Sequence, residues 1–161
     1  MYVHIFASAM KLEQAIKSTK FKSESQKAVL HILYTAWWLK TLMTQELKKF
    51  GLTHEQYNVL RILKGKYPEQ MCVKDIASRM IEKSSNVPRI IDRLELKNLV
   101  ERNTSLLDKR ETVITITQKG ISILAESTVM IENKSESSFV LEEEEASILN
   151  VLLEKIRSTE M

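Results

Sequence analysis

Cysteine is almost missing from this chain. Cys72 stands alone, so an internal disulfide framework is excluded, and the composition suits a reducing compartment such as the cytoplasm. Glycine and proline are scarce too, three and two residues, which points to a mostly helical globular protein rather than a turn-rich or disordered one. No apolar run approaches the roughly 18 uncharged residues of a membrane span, and no membrane partner is expected. Met1 to Ala9 has no basic start and too short an apolar stretch for a signal peptide. Met1 and Met10 are alternative starts, and the second would make residues 1–9 a frayed extension. Histidine is sparse and scattered, at positions 4, 31 and 54. A metal centre built on it would need long-range convergence, so no metal and no cofactor is expected. There is no P-loop or glycine-rich phosphate fingerprint. Glu142 to Glu145 are consecutive and do not converge as a catalytic pair would. Enzyme chemistry is therefore not expected.

Charge of one sign is not abundant either. The formal net charge is +3 and the pI about 8.9, too mild for a uniformly basic surface. The distribution is more telling. Between Lys74 and Lys119 the basic residues are Lys74, Arg79, Lys83, Arg89, Arg93, Lys97, Arg102, Lys109, Arg110 and Lys119. The acidic ones are fewer: Asp75, Glu82, Asp92, Glu95, Glu101, Asp108 and Glu111. The stretch from Glu132 to Glu145 is acidic instead. Such segregation suits a nucleic-acid face on a separate body.

What is present is organised around residues 71–120. Val73, Ile76, Ala77 and Met80 fall at i, i+3, i+4 and i+7, a short amphipathic helix opened by Cys72 and Val73. Val87, Ile90, Ile91 and Leu94 repeat that spacing, while Ser85, Asn86, Arg89, Asp92 and Arg93 occupy the other face. Ser84 is the expected N-cap, with Pro88 in the first turn, where a missing N–H is tolerated. Arg bonds guanine edges and Asn bonds adenine, so this face suits a major groove. Leu99 to Thr104 and Thr112 to Thr117 read as a β-hairpin, and Asp108, Lys109 and Arg110 form its tip. Helix, turn, helix and hairpin in this order make a winged helix-turn-helix.

These residues resemble the MarR family of transcriptional regulators. Asp108-x-Arg110, followed by Val113-Ile114-x-Ile116-Thr117-x-x-Gly120, is similar to the family's wing. Leu52-Thr53-x-x-Gln56-Tyr57-x-Val59-Leu60-x-x-Leu63 resembles its second helix. Arg89-Ile-Ile-Asp-Arg-Leu94 with Leu99-Val-Glu-Arg102 resembles its recognition helix and first wing strand. The resemblance runs from about Phe21 to Arg157. Pro88 departs from it, since members often carry Ser or Thr there.

The flanks are helical. Residues 10–18 read as a short helix. Ser23 to Phe50 reads as one long helix, with Val29, Leu33, Ala36, Leu39, Met43 and Leu47 as its stripe, widened by Leu30, Tyr34, Trp37 and Leu42. Gly51 ends it, and Thr53 with Gln56 forms a capping box for the next helix. Thr117 caps a helix starting at Gln118. Glu142 to Glu145 open a last one, striped by Leu149, Leu152, Leu153 and Ile156. A helix of about 40 Å is too long for one small core, so the stripes are expected to pair with a second copy.

The expectation is a mainly α, single-domain chain over residues 1–161 with a small β-hairpin wing. The winged helix-turn-helix spans 52–120, and 10–50 with 121–161 form a helical dimerisation body. The resemblance implies a cytoplasmic homodimer on double-stranded palindromic DNA, a ligand-responsive repressor. Arg89, Arg93, Ser85 and Asn86 would enter the major groove. Arg110, oriented by Asp108 and flanked by Lys109, would reach the minor groove. Lys83, Ser84 and Arg102 would neighbour phosphates. His31, Tyr34, Trp37 and Trp38 are candidate walls for a small-molecule effector. The alternatives are a winged-helix protein-interaction module and a small-molecule or metal sensor without DNA binding.

Overall fold

A computed structural model describes residues 10–83, 85–105, 109–138 and 141–158. Seven helices and three strands follow in the order α1 (Leu12–Ala15), α2 (Glu24–Lys49), α3 (His54–Lys64), β1 (Met71–Cys72), α4 (Val73–Arg79), α5 (Val87–Leu96), β2 (Val100–Thr104), β3 (Thr112–Ile116), α6 (Gln118–Ser138) and α7 (Glu143–Ile156). The chain is mainly α with a small antiparallel sheet, a winged helix-turn-helix. Two compact units divide it, residues 1–45 and 46–161.

In the first unit, α1 is tied to α2 by a Lys27–Glu13 ion pair at 2.6 Å. The pairing holds the Glu13 carboxyl below its usual range and the Lys27 ammonium above its own. The stripe along α2 faces solvent over much of its length: Leu33 is 62% exposed and Trp37 59%.

The second unit contains a dry core. Val59, Leu60, Ile76, Ile91, Leu94 and Ile114 are fully buried, and they come from α3, α4, α5 and β3. Local signals place these elements. Gly51 takes φ 65° after α2, the left-handed conformation that glycine adopts without a Cβ penalty. Thr53 Oγ1 accepts from the Gln56 amide at 3.3 Å, and Gln56 Oε1 accepts from the Thr53 amide at 3.2 Å. The Thr117 hydroxyl accepts from the Gly120 amide at 3.0 Å and so caps α6.

Three local expectations change. The sheet is three-stranded, order β1-β3-β2, not a bare hairpin. Met71 pairs with Ile114 and Cys72 with Val113. Cys72 therefore ends a strand and N-caps α4, its sulfur accepting from the Asp75 amide at 3.4 Å. Helix α5 is capped by Asn86, not Ser84: Asn86 Oδ1 accepts from the Arg89 amide at 3.3 Å. This cap puts Pro88 at the second helical position, where its missing N–H has no intrahelical acceptor to leave empty. Ser84 itself, like Asp108 and Met1 to Ala9, lies outside the described residues.

Gly120 has a packing role. A Cβ there would stand 2.2 Å from the Leu99 carbonyl oxygen and 2.9 Å from Ile116 Cγ1. Only a residue without a side chain lets α6 start this close to the base of the wing.

Candidate nucleic-acid interface

The site is built on α5. Val87, Ile91 and Leu94 are buried, and α5 packs against α3, α4 and β2. Arg89, Asp92 and Arg93 on the opposite side are exposed. Arg89 and Arg93 border one open concavity of about 310 Å³ with Glu55, Glu82, Ser85, Asn86 and Ile90. Two long guanidiniums separated by one helical turn thus stand on a rigid, apolar-backed helix. That is the geometry a groove reader needs.

Ser85 departs from the expectation. Its hydroxyl oxygen is buried and has no hydrogen-bond partner among the described residues, so it does not present itself to solvent beside the arginines. Asn86 spends its side-chain oxygen on the helix cap. Lys83 is exposed, and its ammonium donates to the Ser78 carbonyl at 2.6 Å, steadying the end of α4.

Arg102 also differs from a simple phosphate neighbour. Its Nη2 donates to Asp92 Oδ1 at 2.5 Å and to the Pro88 carbonyl at 3.4 Å, and its Nη1 lies 3.5 Å from Glu95 Oε2. The guanidinium extends from β2 onto the recognition helix, so wing and helix are fastened by one side chain. At the wing tip, Lys109 and Arg110 are exposed in the turn.

A second fastening lies at the other end of α5. The Lys97 ammonium donates to the Gly51 carbonyl at 2.5 Å and to Gln56 Oε1 at 2.9 Å. The Lys97 carbonyl accepts from the Lys119 ammonium at 2.9 Å. The C-terminal end of α5 is thereby bonded to the α2–α3 turn, to α3 and to α6. Burial, and then the neighbouring Arg93 charge, lowers the Lys97 pKa below the ordinary lysine value.

This architecture and its sequence have relatives. A family model described as "MarR family" matches residues 52–112. The regulator MhqR of Bacillus subtilis is 30% identical over 119 residues, which is 71% of this chain and 78% of MhqR. The chain belongs to the MarR family. The crystal structure of a MarR transcription factor from Planctomyces limnophilus superposes with a TM-score of 0.65 at 28% identity, over 88% of this chain and 98% of that one. The Staphylococcus aureus MepR–DNA complex shares the fold, with a TM-score of 0.73 at 23% identity, covering 87% of this chain and 99% of MepR. Among the described residues no helix is long and apolar enough to cross a membrane.

In this MarR-family chain the expected effector residues are only partly gathered. Tyr34 and Trp37 rings lie 5.5 Å apart at 46°. Trp37 borders a shallow concavity of about 290 Å³ with Lys40, Thr41, Thr44 and Gln45, and His31, Tyr34 and Trp38 are not part of its wall. Cys72 is an unpromising redox centre. The Asp75 amide lowers its thiol pKa, but burial and the carboxylates of Asp75 and Glu111 outweigh that and push it up. A thiol held protonated is a poor nucleophile.

Two features escape a linear reading. The Arg102 and Lys97 fastenings join residues far apart in sequence. So does a cluster of His54, Glu55 and Glu82, whose ligand atoms lie within 4.8 Å of one another. Each residue type alone carries no signal of the others.

Proposed function

We propose that this MarR-family transcriptional regulator binds palindromic double-stranded DNA as a cytoplasmic homodimer, represses transcription there, and responds to a small-molecule effector. The observation that carries the DNA reading is the division of α5 into a buried face of Val87, Ile91 and Leu94 and an exposed face bearing Arg89 and Arg93. Arg89 and Arg93 contact base edges in the major groove, with Asn86 at the helix start, while the buried Ser85 hydroxyl does not take the part expected of it. Lys109 and Arg110 approach the minor groove, with Asp108 orienting Arg110. Lys83 and Ser84 neighbour phosphates, and Arg102 acts chiefly by holding the wing to α5. MepR, a fold relative, was solved on DNA, which supports this docking.

The dimer reading rests on the apolar faces of α2 and α7. Val29, Leu33 and Trp37 on α2, and Ile148, Val151, Leu152 and Ile156 on α7, are all more than half exposed. Association with a second copy would take such apolar faces out of water. Two-fold symmetry would then set the recognition helices about 34–36 Å apart, the spacing of successive major grooves. An effector held beside Tyr34 and Trp37 would change that spacing by favouring one arrangement of the two heads.

Fluorescence anisotropy against a fragment of the DNA upstream of its own reading frame tests the proposal. Saturable binding that outcompetes random DNA by at least about 10³-fold at physiological salt is expected. Equal affinity for both DNAs rejects sequence-specific reading.

A further inference from the structure

We propose that His54, Glu55 and Glu82 form a binding site for a first-row divalent transition cation, Zn²⁺ foremost, and that occupancy strengthens DNA binding. The coupling to DNA rests on the function proposed above; the cation site itself does not.

The three residues come from two segments that the fold brings together. His54 and Glu55 open α3, and Glu82 lies in the connection that leads into α5. That connection is held in place. The Ile81 amide donates to Asn58 Oδ1 at 3.2 Å, and Asn58 lies one helical turn along α3 from His54 and Glu55. The Ser85 amide donates to the Glu82 carbonyl at 3.1 Å, closing a turn around Glu82. One imidazole nitrogen and two carboxylate oxygens then lie mutually within 4.8 Å, all three residues half-buried. Metal–ligand bonds of roughly 2.1 Å need ligand atoms about 3–4 Å apart, so small side-chain rotations complete the triad, and water fills the remaining positions. The mixed nitrogen and oxygen set favours Zn²⁺ and its first-row neighbours over Mg²⁺ or Ca²⁺, which take oxygen. Ser85 borders the same concavity as Glu55 and Glu82, and its hydroxyl oxygen is buried without a partner among the described residues.

The consequence follows from charge and position. Glu55 and Glu82 share their concavity with Arg89 and Arg93. Without a cation, two negative charges stand beside the groove-reading arginines and oppose the phosphates of approaching DNA. A divalent cation cancels them. It also clamps the segment before α5 to α3, which fixes the start of the recognition helix. Loading therefore favours DNA binding through both charge and order.

The chain, freed of metal, is titrated with ZnSO₄ at neutral pH against a chromophoric chelator. One saturable site per chain is expected. His54→Gln and Glu82→Gln should each weaken it by at least about tenfold, while His31→Gln and Cys72→Ser leave it unchanged. Melting curves of the metal-free variants verify that they fold, and Glu55→Gln provides a third ligand test. Absence of saturable binding, or parent-like binding by both His54→Gln and Glu82→Gln, overturns the site. Anisotropy then reads the coupling. The parent's apparent Kd for DNA should fall about tenfold with Zn²⁺ and stay unchanged with Mg²⁺. Glu82→Gln should bind DNA at least as tightly as the metal-free parent and ignore Zn²⁺. An identical Kd for the parent with and without Zn²⁺ overturns the coupling. A parent that binds no DNA in either state rejects the proposed function, while the titration alone still decides the site.

Discussion

Helices α5 and α7 are both amphipathic, yet they meet opposite fates within one chain. Val87, Ile91 and Leu94 of α5 are buried, and Arg89, Asp92 and Arg93 stand exposed on its other side. In α7 no residue is buried, and Ile148 and Val151 are each 62% exposed. The difference shows that amphipathicity alone does not assign a role. A helix whose apolar face is satisfied by its own chain presents charge, and one whose apolar face is left in water presents a surface for association. On the proposed function the two helices divide reading from assembly, and substitutions should separate them.

The largest effects are expected where the packing around the base of the wing and beneath α5 would be broken. Gly120→Ala puts a methyl group 2.2 Å from the Leu99 carbonyl. It should destabilise the second unit by about 3 kcal/mol, the upper part of the overpacking range, seen as a drop in thermal midpoint. Ile91→Ala, a cavity under the reading helix, should cost about 2–4 kcal/mol and remove DNA binding with stability. Leu152→Glu on exposed α7 should do the reverse: an unchanged melting curve for the separated chain, but loss of dimer by sedimentation and a fall in DNA affinity. A parent that sediments as a monomer at tens of micromolar would break the comparison, since α7 would then have no copy to cover it.

Finer changes sharpen it. Arg89→Ala or Arg93→Ala should leave stability within about 0.5 kcal/mol yet cost about 1–3 kcal/mol of specific binding. Parent-like affinity in both variants would mean that α5 does not read bases. Lys97→Met removes a charged donor from Gly51 and Gln56 and should cost about 1–3 kcal/mol of stability. It also removes a pH dependence. The folded state lowers the Lys97 pKa, so it holds this proton less tightly than the unfolded chain. In the parent this term makes stability rise with pH through the window between that lowered value and the ordinary lysine value. The slope there should flatten in Lys97→Met, and an unchanged slope in urea titrations would assign the effect elsewhere.

Much of this fold is legible because its signals are local. The spacing of Val87, Ile91 and Leu94, the Thr53–Gln56 box, the Thr117 cap and the β-branched run at 112–116 each act within a turn or a strand. The misses have a common cause. β1 is two residues long and exists because β3 offers it an edge, too short a stretch to show alternation. Ser84 and Asn86 are both good caps, and the choice between them depends on where Pro88 can sit. The expected arginines are on the exposed face, but the partnership of Arg102 with Asp92 and Glu95, and of His54 with Glu82, is created by packing between segments. Gly120 stood out within the wing pattern, and only the approach of α6 to Leu99 explains why a glycine is needed there.

The Arg102 clasp sets the size of the piece that can be exchanged between regulators. Residues 85–97 moved alone into another scaffold would carry Asp92 and Glu95 away from Arg102, and the recipient's strand would have no reason to supply a cation at that register. Residues 85–104 carry helix, strand and clasp together. On the proposed function, the unit of DNA preference is α5 with the first wing strand, and a graft that respects that boundary should transfer operator choice intact.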